Sequence, residues 1–382
     1  MFVRQGVLML LGVVAFGVVM LLGEAWWMPL TGLVADEFPG KSNDRLSNPR
    51  YSGYQFAPPS ASVIDAGYQP VAMPTGTMPA VMMHDRILVR QLENLGKTLK
   101  FHPFLEGGDS NVFLFHGHLE MVWAGDLPTI KAAAAYPIVV TAQAKTAFAA
   151  VVAHDLFSIS QLKGRRIGYA PGSSAHQVLL LGLSSSDMDE RDVQLVAMPV
   201  NKMLPEIRAG RIDAFAAWEP TPTIAMDQMQ ELSVVYRGLT QSYLYFSKAF
   251  AESNLELVHI LTAANLRAVR WMRSHPDHAR QACQWHLGLA ETFLKEPYPI
   301  SIDQCLLILH RDLLDPLPMT MFPPETWQRN GIIARQFRFL LRMGVLPPHA
   351  DLNQILRVFN ADILGKIVKN RERWDMNVFD YQ

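Results

Sequence analysis

Between residues 69 and 236, short apolar runs alternate with stretches of helical periodicity, and no other feature restricts the fold more. Strands are expected at 71–73, 98–104, 119–124, 138–142, 148–153, 166–170, 193–198, 212–218 and 232–236. Helix patterns fall between them: one through residue 95, one opening at GGDSN, an Ala-rich one at 129–135, then 174–183 and 201–209. Strand, helix and strand repeated at this spacing call for crossover connections, so the expectation is α/β with largely parallel sheets. After about residue 242 the character turns helical. Leu255, Val258, Leu266, Val269 and Met272 share one arc of a ~3.6-residue wheel. Later helices are expected at 302–313, 325–343 and 352–370.

With 382 residues, 49% of them apolar, the chain can build two bodies with cores of their own. Its 34 basic and 35 acidic residues leave no basic surplus, so a nucleic-acid partner is not expected. The two cysteines, Cys283 and Cys305, form no CxxC pair and no His/Cys cluster, so neither a metal nor another cofactor is expected. They fit two buried free thiols, or a pair in an oxidising compartment.

The N-terminus carries an uncharged run, VLMLLGVVAFGVVMLLG, after Arg4 and before Glu24, Trp26 and Trp27. It is long for a cleaved signal and nearly long enough to cross a ~30 Å hydrocarbon core. The tryptophans suit a membrane interface, and Arg4 before the run favours a cytoplasmic N-terminus. Residues 1–28 are therefore expected to be a signal anchor or signal peptide. Residues 29–68, rich in Pro, Ser, Asn and Gly, read as a linker.

Several ordered blocks carry a family resemblance. LKGRRIGYAPGSSAH followed by VQLVAMPVNKMLPEIRAGRIDAFAAWEP resembles the second lobe of the nitrate/sulfonate/taurine type of ABC-transporter substrate-binding protein. Upstream, GGDSNVFLFHGHLEMVWAGDLPTIKAAA resembles the first-lobe pattern, with Glu120 where an Asp is usual. LELVHILTAANLRAVRWMRSHPDHARQAC and ARQFRFLLRMGVLPPHADLNQIL resemble the family's later helices. The resemblance implies a two-lobed periplasmic-binding-protein type II fold with a helical C-terminal segment. Lobe one would comprise 69–147 and 240–382, and lobe two 148–239. It implies a small sulfonate, nitrate or taurine-like solute in the cleft, permease and ATPase subunits as partners, and a periplasmic location, tethered through the N-terminal helix.

The candidate site residues follow from strand ends. In parallel α/β lobes ligands sit beyond the carboxyl ends of strands, where helix N-termini present unpaired amides. Ser173 and Ser174 after Pro171-Gly172 make one such entry, and Gly108, Asp109 and Ser110 make another in the opposite lobe. Capping alone also accounts for Ser174, with Gln177 three residues on, and for Asp109. Thr75, Gly76 and Thr77 follow the first strand, and Gly125 and Asp126 follow the third. Trp218 and Glu219 end a strand at the same level: a ring for stacking and an acceptor for an amine. Asp126 equally suits a cap, Trp218 a hinge-packing ring and His176 a packing role. Asp109, Asp126 and Glu219 complicate a pure anion site, since buried carboxylates beside an anion are costly. A zwitterion meets both signs, whereas a simple anion needs compensating cations, and the sequence does not place Lys131, Arg208 or Arg211.

Enzymes of the same fold, a thiamin-pyrimidine synthase and an aromatic sulfinate desulfinase, rely on a cysteine or His/Cys cluster in the cleft. Cys283 and Cys305 lie far from the strand-end loops, so no catalytic residue is expected. A membrane-tethered solute sensor is the remaining alternative.

Overall fold

The computed structural model describes residues 43–58, 62–313 and 322–382. The expected anchor at 1–28 and the start of the linker lie outside them. Among the described residues no helix is long and apolar enough to cross a membrane.

Eight strands form one mixed sheet: β1 Val63–Tyr68, β2 Thr98–Pro103, β3 Met121–Gly125, β4 Ile138–His154, β5 Arg166–Tyr169, β6 Gln194–Ala197, β7 Ala214–Trp218 and β8 Leu232–Ser247, in the order β2-β1-β3-β8-β4-β7-β5-β6. β1 pairs in parallel with β2 and β3, and β5 with β6 and β7. These parallel groups are joined through β4 and β8, which run antiparallel to each other from Ile138↔Ser247 to His154↔Leu232.

Side-chain alternation assigns each half its own cores. Met121 and Trp123 face one side of the β1–β3 half, while Val122 and Ala124 face the other. In the β5–β7 half, Ala149, Val151 and Ala153 face one core and Ala150 and Val152 the opposite one. The helix Leu255–Ser274 is buried on nearly every side. Val258, Leu266, Val269 and Met272 join the large core, but Leu255 is exposed.

Several expectations need correction. The first strand is Val63–Tyr68, inside the stretch read as linker, and 71–73 form a turn. The pieces expected at 138–142 and 148–153 are one strand, and the piece at 232–236 runs on to Ser247. The interruptions were polar residues, Gln143, Lys145, Thr240 and Gln241, all buried where the chain passes between the halves. The helix expected through residue 95 breaks at Asp85. That carboxylate caps Arg86–Glu93 by accepting the Ile87 and Leu88 amides, and it pairs with Arg267 at 2.6 Å, both side chains fully buried. The helix expected at 325–343 is a short turn followed by Ile332–Arg342, and 352–370 is split into Leu352–Arg357 and Ala361–Lys369.

The described end of the linker is bound to the body. Tyr51 is buried; its hydroxyl donates to Asp109 Oδ2 (2.6 Å) and accepts the Leu105 amide (3.0 Å). Lys100 donates to the Gln55 carbonyl and the Ala57 amide to Asp65. The Phe56 ring lies 4.6 Å from that of His102 and 4.9 Å from that of His118. Tyr51, Tyr54 and Phe56, at irregular spacing, give no periodic signal, so the sequence conceals this packing. Cys283 and Cys305 form a disulfide between the helices Pro276–Leu294 and Ile302–Asp312 rather than two free thiols.

Candidate functional site

A cleft opens where the two halves meet. The β1–β3 half contributes Gln69, Thr75, Gly107, Gly108, Gly125 and Lys131, and the β5–β7 half Pro171, Gly172, Ser173, Ser174 and Trp218. Lys145, Thr240 and Gln241 reach it from β4 and β8, and Arg45 from the segment before β1.

Two helices begin at this cleft, Gly107–Phe115 and Ser174–Ser184. The first has no side-chain cap, and the Gly107 and Gly108 amides have no partner among the described residues. The second opens through Gly172, whose φ of 66° is a left-handed conformation that glycine adopts freely. Its cap is Ser173, which accepts the His176 amide at 3.1 Å and donates to the Ala170 carbonyl at 2.7 Å. The aligned peptides of both helices put partial positive charge at the cleft.

Ser174 differs from the capping expectation: its hydroxyl donates to Asp126 Oδ1 across the cleft. A Cβ at Gly125 would stand 3.2 Å from that same oxygen, so the two halves touch here. Both serine hydroxyls are thus committed to protein acceptors, and what this turn has left to offer the cleft is its backbone.

Thr75, Gly108, Gly125, Ser173, Ser174 and Trp218 line the cleft; the other sequence candidates do not. A Cβ on Gly76 would meet the Gln69 carbonyl at 2.3 Å. Thr77 bonds His286 Nδ1 at 3.1 Å inside the large core. Ser110 donates to the Gly107 carbonyl at 3.0 Å. Asp109 holds Tyr51 and Arg45. Asp126 is fully buried and accepts from Ser174, the Gln241 amide (2.9 Å), the Leu127 amide (2.9 Å) and Gln336. Burial raises its pKa, and these donors oppose the rise. Glu219 pairs with Arg311 at 2.9 Å and accepts the Thr223 hydroxyl at 2.7 Å. Arg311 also holds Asp312, the bond that most raises its own pKa. The three carboxylates that argued for a zwitterion are therefore all occupied by protein donors.

The cation that the sequence did not place is Lys145. It is 5% exposed, lines the cleft, and makes no hydrogen bond or close ion pair to any described residue. Burial lowers its pKa against the pull of Asp312, Asp126 and Glu219. Nearby, Trp218 Nε1 is buried without an acceptor among the described residues. His176 is neutral, its pKa pushed down to about 4 by burial, and its Nδ1 accepts the Gly172 amide at 3.2 Å, so its role is to support the turn. The signal for Lys145 is a lysine inside an otherwise apolar strand pattern, IVVTAQAKTAFAAVV, whose polar residues suggest a gap between two strands.

Comparison with known proteins agrees with this fold. Residues 122–279 match the family model described as NMT1/THI5 like. A protein of Escherichia coli (strain K12) named for binding aliphatic sulfonates is 26% identical over 183 residues, 45% of this chain and 57% of that relative's length. The alkanesulfonate-binding protein from Xanthomonas axonopodis pv. citri, solved bound to MOPS, superposes with a TM-score of 0.60 at 20% identity, covering 77% of this chain and 98% of that one. The periplasmic nitrate-binding protein from Synechocystis PCC 6803 gives 0.62 at 12% identity, covering 83% and 90%. Part of the chain thus matches the NMT1/THI5 like model, and its fold is that of the sulfonate- and nitrate-binding proteins to which its motifs pointed.

Proposed function

We propose that this protein is an extracytoplasmic solute-binding component of an ABC transporter, taking a small anion such as a sulfonate or nitrate in the cleft between two lobes and passing it on chemically unchanged. The observation that carries the reading is Lys145, buried without a hydrogen bond to any described residue, beside two helix N-termini. An anion there gains a countercharge and amide donors together, and relieves the cost of a desolvated, unpaired cation. The occupied carboxylates Asp109, Asp126 and Glu219 remove the objection to a simple anion. Permease and ATPase subunits would read the closure of lobes 69–147 with 240–382 around 148–239. Residues 1–28 would hold the protein at the outer face of the membrane.

Isothermal titration of the full-length protein with ethanesulfonate, taurine and nitrate tests this. Binding of at least one is expected, and Lys145→Met should abolish it while the protein stays folded. If none of the three binds, the reading falls.

A further inference from the structure

We propose that Arg45, carried by the segment before β1, is a ligand-binding residue, so that residues 43–58 are part of the binding site and not only a connection to it. The inference rests on the anion-binding reading and adds a residue from outside both lobes.

Four contacts fix the segment on the β1–β3 half: Tyr51 to Asp109, Tyr54 to the Pro103 carbonyl, Lys100 to the Gln55 carbonyl and the Ala57 amide to Asp65. So fastened, it sets Arg45 at the mouth of the cleft, with Nη1 3.1 Å from Asp109 Oδ1. A Cβ at Gly108 would stand 2.5 Å from Nη1, so the guanidinium lies directly against the first turn of Gly107–Phe115. A cation at the positive end of a helix is unfavourable alone. Asp109, which also holds Tyr51, is one of the partners that offset it. The charged residues lining the cleft are Arg45, Lys131, Lys145 and Glu106, with the carboxylates Asp312, Asp126 and Glu219 close enough to act on Lys145. The guanidinium offers planar paired donors of the kind that match sulfonate or carboxylate oxygens.

The test is titration calorimetry on full-length protein with ethanesulfonate, taurine and nitrate, at two salt concentrations. Arg45→Ala should weaken the best of them about tenfold and reduce the salt dependence. Arg45→Lys should recover part of the loss. Tyr54→Phe loosens the segment away from the cleft and should cost less than Arg45→Ala. If Arg45→Ala binds within twofold of the wild type, or Tyr54→Phe is equally damaging, the inference fails while the anion-binding reading stands. If the wild type binds none of the probes, that reading fails and this inference with it.

Discussion

On the proposed function, Lys145 is the residue on which ligand binding in the cleft turns, and its burial predicts two opposite pH trends. Its burial outweighs the attraction of Asp312, Asp126 and Glu219, so its folded pKa lies below the ordinary lysine value. Folding therefore disfavours the charged form. In the ligand-free protein that penalty is present below the folded pKa and is relieved as pH rises towards the unfolded value, so stability rises across this window. Anion affinity should fall over the same window, because the countercharge is lost. Lys145→Met removes both trends and should stabilise the ligand-free protein by about 1 kcal/mol or more. Urea unfolding and ligand titration at stepped alkaline pH would show it; parallel slopes, or a destabilised Lys145→Met, would refute this account.

At the scale of elements, polar residues in the middle of β4 and β8 decided what the sequence revealed. Period-two alternation is legible where one face meets a core, as at Ala149 to Ala153, and it stops at Gln143, Lys145, Thr240 and Gln241. Those side chains are buried against the opposite half and the cleft, a long-range environment that no local pattern encodes. Helix pairing was hidden for the same reason. The disulfide joins residues 22 apart in sequence, closing the turn between Pro276–Leu294 and Ile302–Asp312. Chain-entropy arguments make that loop worth about 3 kcal/mol. Cys283→Ala with Cys305→Ala should lower the melting temperature, and reductant should lower it only in the parent protein. Equal melting curves for parent and double variant would show that the bond does not constrain the chain.

For the whole molecule, the proposed function makes contacts across the cleft the balance between separated and closed halves. Ser174 to Asp126 joins the two halves directly, and Arg311, on Ile302–Asp312, holds Glu219 at the end of β7. A ligand that bridges the two helix N-termini shifts the population by its differential affinity for the closed form. Ser174→Ala deletes one tie and leaves the buried Asp126 carboxylate with one donor fewer. It should weaken anion binding by about 1 kcal/mol. Small-angle scattering should show a ligand-induced decrease in radius of gyration that needs more ligand in the variant. An unchanged affinity would mean that the Ser174 bond is incidental to closure.

The sequence by itself determined the α/β character, the order of most strands and helices, and the two glycine-marked helix entries, because periodicity and turn chemistry are local. Tertiary structure alone decided which polar groups remain available. It tied Asp109 to Arg45 and Tyr51, 64 and 58 residues away, Asp126 to Ser174, Gln241 and Gln336, 48, 115 and 210 away, and Glu219 to Arg311, 92 away, and it left Lys145 buried without a hydrogen bond to any described residue. Whether a charged side chain serves the fold or a ligand depends on what distant segments place beside it, and that is a property of the packed chain.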